Sequence, residues 1–153
     1  MVEIDFLAES DRARWEALAR GKDAYFDVER NDDAYEQCWR QLLDGGQARG
    51  IAARLDGRMA GIAHYVFHAG VWGAGRCYLA DLFVDAEVRR RGVATAMIEW
   101  VAGDAEEHGF PRLYWNTVDD APARALYDRI ATLNHRLVLY TYRRDVNRNP
   151  TPH

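Results

Sequence analysis

Residues 77–84, CYLADLFV, are apolar on both faces except at Asp81, and an arginine-rich turn, DAEVRRRG, carries them into the periodic apolar stretch VATAMIEW. A short run apolar on both faces reads as a strand buried from two sides, and apolar residues at helical spacing read as a helix. No other feature narrows the fold as much, because such a strand needs a sheet with helices above and below it. The same junction defines a place for an anion. The first N–H groups of a helix have no partner inside it, and the helix dipole adds partial positive charge there. Gly92 lets the backbone come close to a phosphate, Ala94 and Thr95 keep the approach open, and Arg89, Arg90 and Arg91 add charge from the rim. A diphosphate suits this turn better than a single carboxylate.

The rest of the chain supplies the other elements. Val2, Ile4 and Phe6 alternate with charged residues, as in a strand with one wet face. Ser10 or Asp11 suits the cap of a helix over RARWEALARG that Gly21 closes, and a second helix is expected over DDAYEQCWRQLLDGG, ended by its double glycine. Two apolar runs then meet at Asp56–Gly57, a dipeptide favoured in tight hairpins. Beyond the arginine turn the helix continues to about His108, and RLYWNTV reads as a strand. DDAPARALYDRIA reads as a helix with Asp119 or Asp120 near its cap and Pro122 in its first turn. RLVLYTYRR is a closing strand, and residues 145–153 form a frayed tail. The expected order is β-α-α-β-β-β-α-β-α-β, a single mixed α/β domain over residues 1–144 with helices on both faces of its sheet.

Twenty Lys and Arg against 24 Asp and Glu give a formal net charge of -4, which argues against a general nucleic-acid binder, since phosphate binding by counterion release needs a basic face. The arginines must therefore serve something local. Cys38 and Cys77 form no metal or disulfide pattern, the N-terminal stretch lacks the basic-then-apolar layout of a signal peptide, and no apolar run approaches the roughly 20 residues that span a bilayer. The expectation is a soluble cytoplasmic protein with no membrane partner. His64 and His68 would share a strand face, but no third ligand accompanies them, so no metal is expected. Trp15, Trp39 and Trp100 lie at helical spacing and read as core.

The arginine turn matches neither G-x-x-x-x-G-K-[ST] nor G-x-G-x-x-G. Arg89-x-x-Gly92-x-Ala94, at the exit of a buried strand, instead resembles the [RQ]-x-x-G-x-[GA] signature of the GNAT superfamily of N-acetyltransferases. LADLFVDAEVRRRG is similar to that family's central strand and loop, and LYWNTVDDAPARALYDRIA to its later strand and helix, with the Ala123-x-x-Leu126-Tyr127 spacing kept. The likeness is strongest from Tyr78 to Tyr127 and is to the branch that includes polyamine and histone acetyltransferase-like proteins. It implies acetyl-coenzyme A as co-substrate, its pantetheine arm in a gap between splayed parallel strands at 78–84 and 112–117. The main chain of Leu82, Phe83 and Val84 would bond that arm, and Arg89, Arg90, Arg91, Gly92, Val93, Ala94 and Thr95 would hold the diphosphate. A main-chain N–H near Leu82 would serve the oxyanion, and Tyr127 would protonate the departing thiolate. The acceptor implied is a primary amine of a small molecule or protein, and, since many relatives are homodimers, the resemblance also implies a homodimer.

Some residues depart from the resemblance. Ala80 stands where some relatives carry a glutamate, so Asp81 is the remaining carboxylate for a base or amine-binding role, or for structural pairing. Asp120 replaces an asparagine that contacts the cofactor in many relatives; it could accept a hydrogen bond there or cap the helix. The stretch KDAYFDVERNDD is acidic and aromatic, which suits a cationic amine, with Tyr25, Phe26 and Trp72 as candidate wall residues. A second reading, a non-catalytic acyl-coenzyme A sensor or assembly module, draws on Ala80 and Asp120, whereas Tyr127 favours the enzyme.

Overall fold

The computed structural model describes residues 1–143, which divide into one unit from Met1 to Asn116 and a second that begins at Thr117. The first unit contains β1 (Val2–Phe6), α1 (Arg12–Tyr25), α2 (Asp32–Leu43), β2 (Ala48–Leu55), β3 (Arg58–His68), β4 (Arg76–Val84), α3 (Val93–Glu107) and β5 (Arg112–Tyr114). The second contains α4 (Arg124–Ile130). The strands form one sheet in the order β1-β2-β3-β4-β5, antiparallel except for the parallel pair β4–β5.

Register explains how the sheet receives helices on both faces. Side chains alternate along a strand, so adjacent residues of β3 serve opposite layers. His64 accepts the indole N–H of Trp15 from α1, while the hydroxyl of Tyr65 donates to Asp104 of α3 at 2.6 Å. On the first face Trp15 and Trp39 pack with ring centroids 5.0 Å apart, among Leu7, Leu18, Tyr35 and Ile62. On the second, α3 buries Val93, Met97, Ile98, Val101 and Ala105. Each such larger side chain is worth about 1.5–3 kcal/mol relative to exposure. Gly61 of β3 allows this close approach, since a Cβ there would lie 2.9 Å from Met97 Cε and 3.1 Å from the Phe83 carbonyl oxygen.

The β2–β3 hairpin turns at Asp56 and Gly57 with φ of 51° and 79°, both in the left-handed region that such a two-residue turn requires. In α2, Asn31 caps the helix by accepting the Ala34 N–H at 2.9 Å. Elsewhere the structure corrects the sequence reading. Gly21 does not end α1; it lies within the helix, facing the Phe83 ring, and four further residues follow it. Asp11 occupies the N-cap position without capping, because its carboxylate accepts the Ala8 N–H and pairs with Arg54. The helix α4 starts after Pro122, with Ala123 at its cap; neither Asp119 nor Asp120 caps it by a side chain. Strand β5 stops at Tyr114 rather than continuing to Val118. The expected closing strand is absent from its described part, 136–143, which makes no ladder bonds and leaves Leu137, Val138, Leu139, Tyr140 and Tyr142 73% to 89% exposed. Alternating apolar residues make a strand only when another strand takes their backbone groups. The expected tail, 145–153, lies outside the described residues.

Candidate active site

Three features converge along β4. The first is the arginine turn. Asp85 receives Arg14 of α1 at 2.6 Å and the Glu87 N–H at 3.1 Å, which anchors the start of the turn against α1. Arg90 and Gly92 then take φ of 65° and 79°, and Gly92 becomes the N-cap of α3 without a side-chain cap. The first N–H bonded within the helix is that of Ala96, to the Gly92 carbonyl at 3.0 Å. The N–H groups of Val93, Ala94 and Thr95 precede it and have no intrahelical acceptor. All three arginines and Gly92 are exposed, whereas the Val93 side chain is core, so Val93 can contribute to the turn only through its main chain. The Arg89 guanidinium lies 5.6 Å from the Tyr25 ring centroid, and Tyr25 meets Phe26 edge to face at 5.0 Å.

The second feature is an open strand edge. Pairing between β4 and β5 covers only Arg76–Tyr78 against Arg112–Tyr114. Beyond Tyr78, β4 has no strand neighbour on that side among the described residues, so the edge from Leu79 through Leu82, Phe83 and Val84 offers its backbone groups. The departure begins at a bulge: His64 opposes Asp81 but Tyr65 opposes Leu79, which leaves Ala80 as an extra, exposed residue. Where the pairing ends, the rings of Tyr78 and Tyr114 pack at a tilt with centroids 5.2 Å apart, and the Tyr114 hydroxyl contacts His68 Nε2 at 2.8 Å.

The third is a polar pocket of about 120 Å³ between α1, α2, β3 and β4. Asp81 sits in it with both oxygens engaged, Oδ2 by His64 Nδ1 at 2.8 Å and Oδ1 by Lys22 Nζ. An indole N–H can only donate, so the Trp15 bond of 2.9 Å fixes His64 Nε2 as the bare nitrogen and Nδ1 as the one donating to Asp81. Burial works to raise the Asp81 carboxyl, yet the His64 bond and the charge of Lys22 outweigh it and hold the group well below the ordinary carboxylate range. Asp23, 3% exposed, accepts the Tyr35 hydroxyl at 2.7 Å and Arg30 Nε at 3.0 Å, both on Oδ2. Burial and that bond push the Tyr35 phenol up to about 12.

These placements sort the residues marked in the sequence. Arg89 to Thr95, Leu82 to Val84, Asp81, Tyr25 and Phe26 gather around the C-terminal end of β4. Trp72, 90% exposed, sits in the connection before Arg76, at the other end of a nine-residue strand. At about 3.3 Å per residue that is roughly 26 Å away, too far to wall one small acceptor together with Tyr25. In the second unit, Tyr127 is half-buried on α4, with its phenol raised by burial, and Asp120 is exposed. His64 and His68 share a face but engage Asp81 and Tyr114 respectively. Sequence reasoning missed Lys22, Asp23, Arg30, Tyr35 and His64 as parts of one network.

A mixed sheet whose parallel pair ends early, followed by a helix that starts without a side-chain cap, places the chain among open-sheet α/β folds. The sequence profile of the Acetyltransferase (GNAT) family matches residues 14–131, and the chain belongs to that family. A D-amino-acid N-acetyltransferase of Saccharomyces cerevisiae is 36% identical over 77 residues, 49% of this chain and 48% of that protein. A thialysine N-epsilon-acetyltransferase of Caenorhabditis elegans is 26% identical over 96 residues, 62% of this chain and 60% of that one. The matches thus span about half to three-fifths of the length of these curated relatives. Among solved structures, a ribosomal-protein-alanine N-acetyltransferase from Brucella melitensis superposes with a TM-score of 0.78 at 26% identity, covering 94% of this chain and 99% of that one. An aminoglycoside N-acetyltransferase solved with CoA shares the fold at a TM-score of 0.80 and 19% identity, covering 95% and 96%. No helix among the described residues is long and apolar enough to cross a membrane.

Proposed function

We propose that this protein is an N-acetyltransferase that passes the acetyl group of acetyl-coenzyme A to a primary amine, on a small molecule or a protein, by direct attack in a ternary complex. The observation that carries this reading is the continuity of the open β4 edge with the uncapped start of α3, since the one accepts an extended amide-bearing arm and the other a diphosphate. The residues present fit that ligand: Gly92 has no protein atom within 4 Å of a Cβ position, so the backbone is open where a phosphate would approach. Acetyl-coenzyme A supplies the activated thioester. The main chain of Leu82, Phe83 and Val84 orients it, the N–H groups of Val93, Ala94 and Thr95 with Arg89, Arg90 and Arg91 neutralise its phosphates, and an N–H near Leu82 offers a hydrogen bond to the carbonyl oxygen.

Tyr127 is the proposed proton donor to the departing sulfur. A phenol held above its ordinary value near 10 stays protonated at working pH, which is the state a donor needs. Asp81 serves as an electrostatic and positioning group rather than a base, because both of its oxygens are engaged and its proton affinity is low. The amine's proton then leaves through water. The test is thiol release from acetyl-coenzyme A with pooled amines: Tyr127→Phe should lose about ten-fold or more in kcat while binding coenzyme A as the parent does. Equal turnover would remove Tyr127 from the chemistry, and no turnover in the parent would leave only a coenzyme A-binding module.

Two finer points belong to the same proposal. The exposed apolar side chains between Leu137 and Tyr142 support a homodimer, which sedimentation would test. Two free cysteines, Cys38 and Cys77, support a reducing compartment such as the cytoplasm.

A further inference from the structure

Within the polar pocket the hydrogen-bond inventory is uneven. Asp23 is 3% exposed, yet Oδ1 has no hydrogen-bond partner, with Lys22 Nζ at 3.6 Å, beyond hydrogen-bond reach. A buried carboxylate oxygen without a donor is costly, so the geometry calls for one. Arg30 lines the pocket and meets the same carboxylate through Nε, and its side chain is 45% exposed, which leaves its two Nη nitrogens to offer to an occupant. The fixed charges already balance, Lys22 and Arg30 against Asp23 and Asp81. An occupant that brought a lone positive charge would upset that balance. One that brings a donor cation for Asp23 and an anion for Arg30 would not.

We propose that this pocket is an amino-carboxylate subsite, in which Asp23 Oδ1 takes the α-ammonium and Arg30 the α-carboxylate of a free amino acid whose side-chain amine is acetylated. The inference rests on the acetyltransferase reading for its second half only. The α-ammonium paired with Asp23 is protonated and so not the nucleophile; the reacting amine is the one at the far end of the side chain, toward the open β4 edge. A flexible chain of methylenes must bridge the distance. Planar guanidinium suits the carboxylate end, since it can offer two parallel donors to two oxygens.

Calorimetry on the full chain, with lysine of each hand, cadaverine and 6-aminohexanoate as probes, tests the subsite without requiring turnover. Cadaverine lacks the carboxylate, and 6-aminohexanoate lacks the α-ammonium. One enantiomer of lysine should bind about ten-fold or more tightly than either, the scale of one charge-assisted hydrogen bond. Arg30→Gln, at an exposed position, should collapse the preference for lysine over cadaverine toward one. Asp23→Asn should do the same for lysine over 6-aminohexanoate, and Lys22→Gln, which keeps Asp23 and Arg30 intact, should retain both preferences. Equal binding of lysine and cadaverine, an unchanged ratio in Arg30→Gln, or no lysine binding overturns the proposal. Discriminating lysine binding with no thiol release from acetyl-coenzyme A would instead sink the acetyltransferase reading and leave the subsite standing.

Discussion

Replacing Lys22 by methionine keeps the length of the side chain and removes its charge from between two carboxylates. Lys22 is 13% exposed, Asp23 5% and Asp81 29% by side chain, so the ammonium neutralises groups that water reaches poorly. Breaking a buried ion pair by deleting one partner costs about 3–5 kcal/mol. Asp81 keeps its His64 bond and Asp23 keeps Arg30, which puts the expected loss at the lower end, about 3 kcal/mol. For a chain of this size each 1 kcal/mol moves Tm by about 2–4 °C, so Lys22→Met should melt about 6–12 °C below the parent. The pH dependence carries a sign. The folded Asp81 carboxyl is held below its unfolded value near 3.8, so its pairing stabilises the fold fully above that pH and is lost as pH falls through the folded value. Melting curves followed by circular dichroism should show the full gap at pH 7 and a shrinking one below about pH 4. Adding Asp81→Asn to Lys22→Met should recover part of the loss. A gap under about 2 °C at pH 7, or one that widens in acid, would refute the reasoning.

Gly92→Val should weaken coenzyme A binding about ten-fold or more, since a β-branched residue at φ of 79° is strained and its side chain enters the phosphate's approach; calorimetric affinity equal to the parent's would move the diphosphate elsewhere. Arg89→Glu should lower that affinity and flatten its salt dependence, and an unaltered salt slope would make the arginine a bystander. Burial pushes the Cys77 thiol up to about 12 and also raises Cys38, so neither should react quickly with a thiol reagent at pH 8 until denaturant is added. Rapid native labelling of Cys77 would contradict its place in the core.

What the sequence made legible were features set by local chemistry. The Asp56–Gly57 turn, the arginine turn ending at Gly92 and the amphipathic face of α2 each follow from neighbouring residues, and the structure realises all three. Gly21 misled because a glycine after a helical run reads as a stop, whereas its place here is opposite the Phe83 ring, a contact across elements. Residues 136–143 misled for a similar reason: their alternation is a local pattern, while a strand needs a partner. The pocket was harder still. Lys22, Asp23 and Arg30 lie in a stretch that looks acidic and solvated, and only the packing of α1 and α2 on β3 turns them toward His64 and Asp81.

The bulge at Ala80 ties the pocket to the cleft. In a regular strand Leu79 and Asp81 would share a face, because residues two apart point the same way. Here Leu79 opposes Tyr65, whose side chain serves the α3 layer, while Asp81 opposes His64, which serves the α1 layer. One extra residue therefore lets an apolar side chain enter one core and a carboxylate enter the opposite polar pocket from almost the same point. Without it, Asp81 would have to face the apolar α3 layer, at a cost of several kcal/mol, or Leu79 would have to face the ion pairs and lose its apolar burial, worth about 1.5–3 kcal/mol. The bulge also bends β4 just where its pairing with β5 ends, so the irregularity that orients Asp81 coincides with the opening of the edge proposed to take the thioester arm. Ala80 needs no reactive side chain for this; it acts by being an additional residue of backbone.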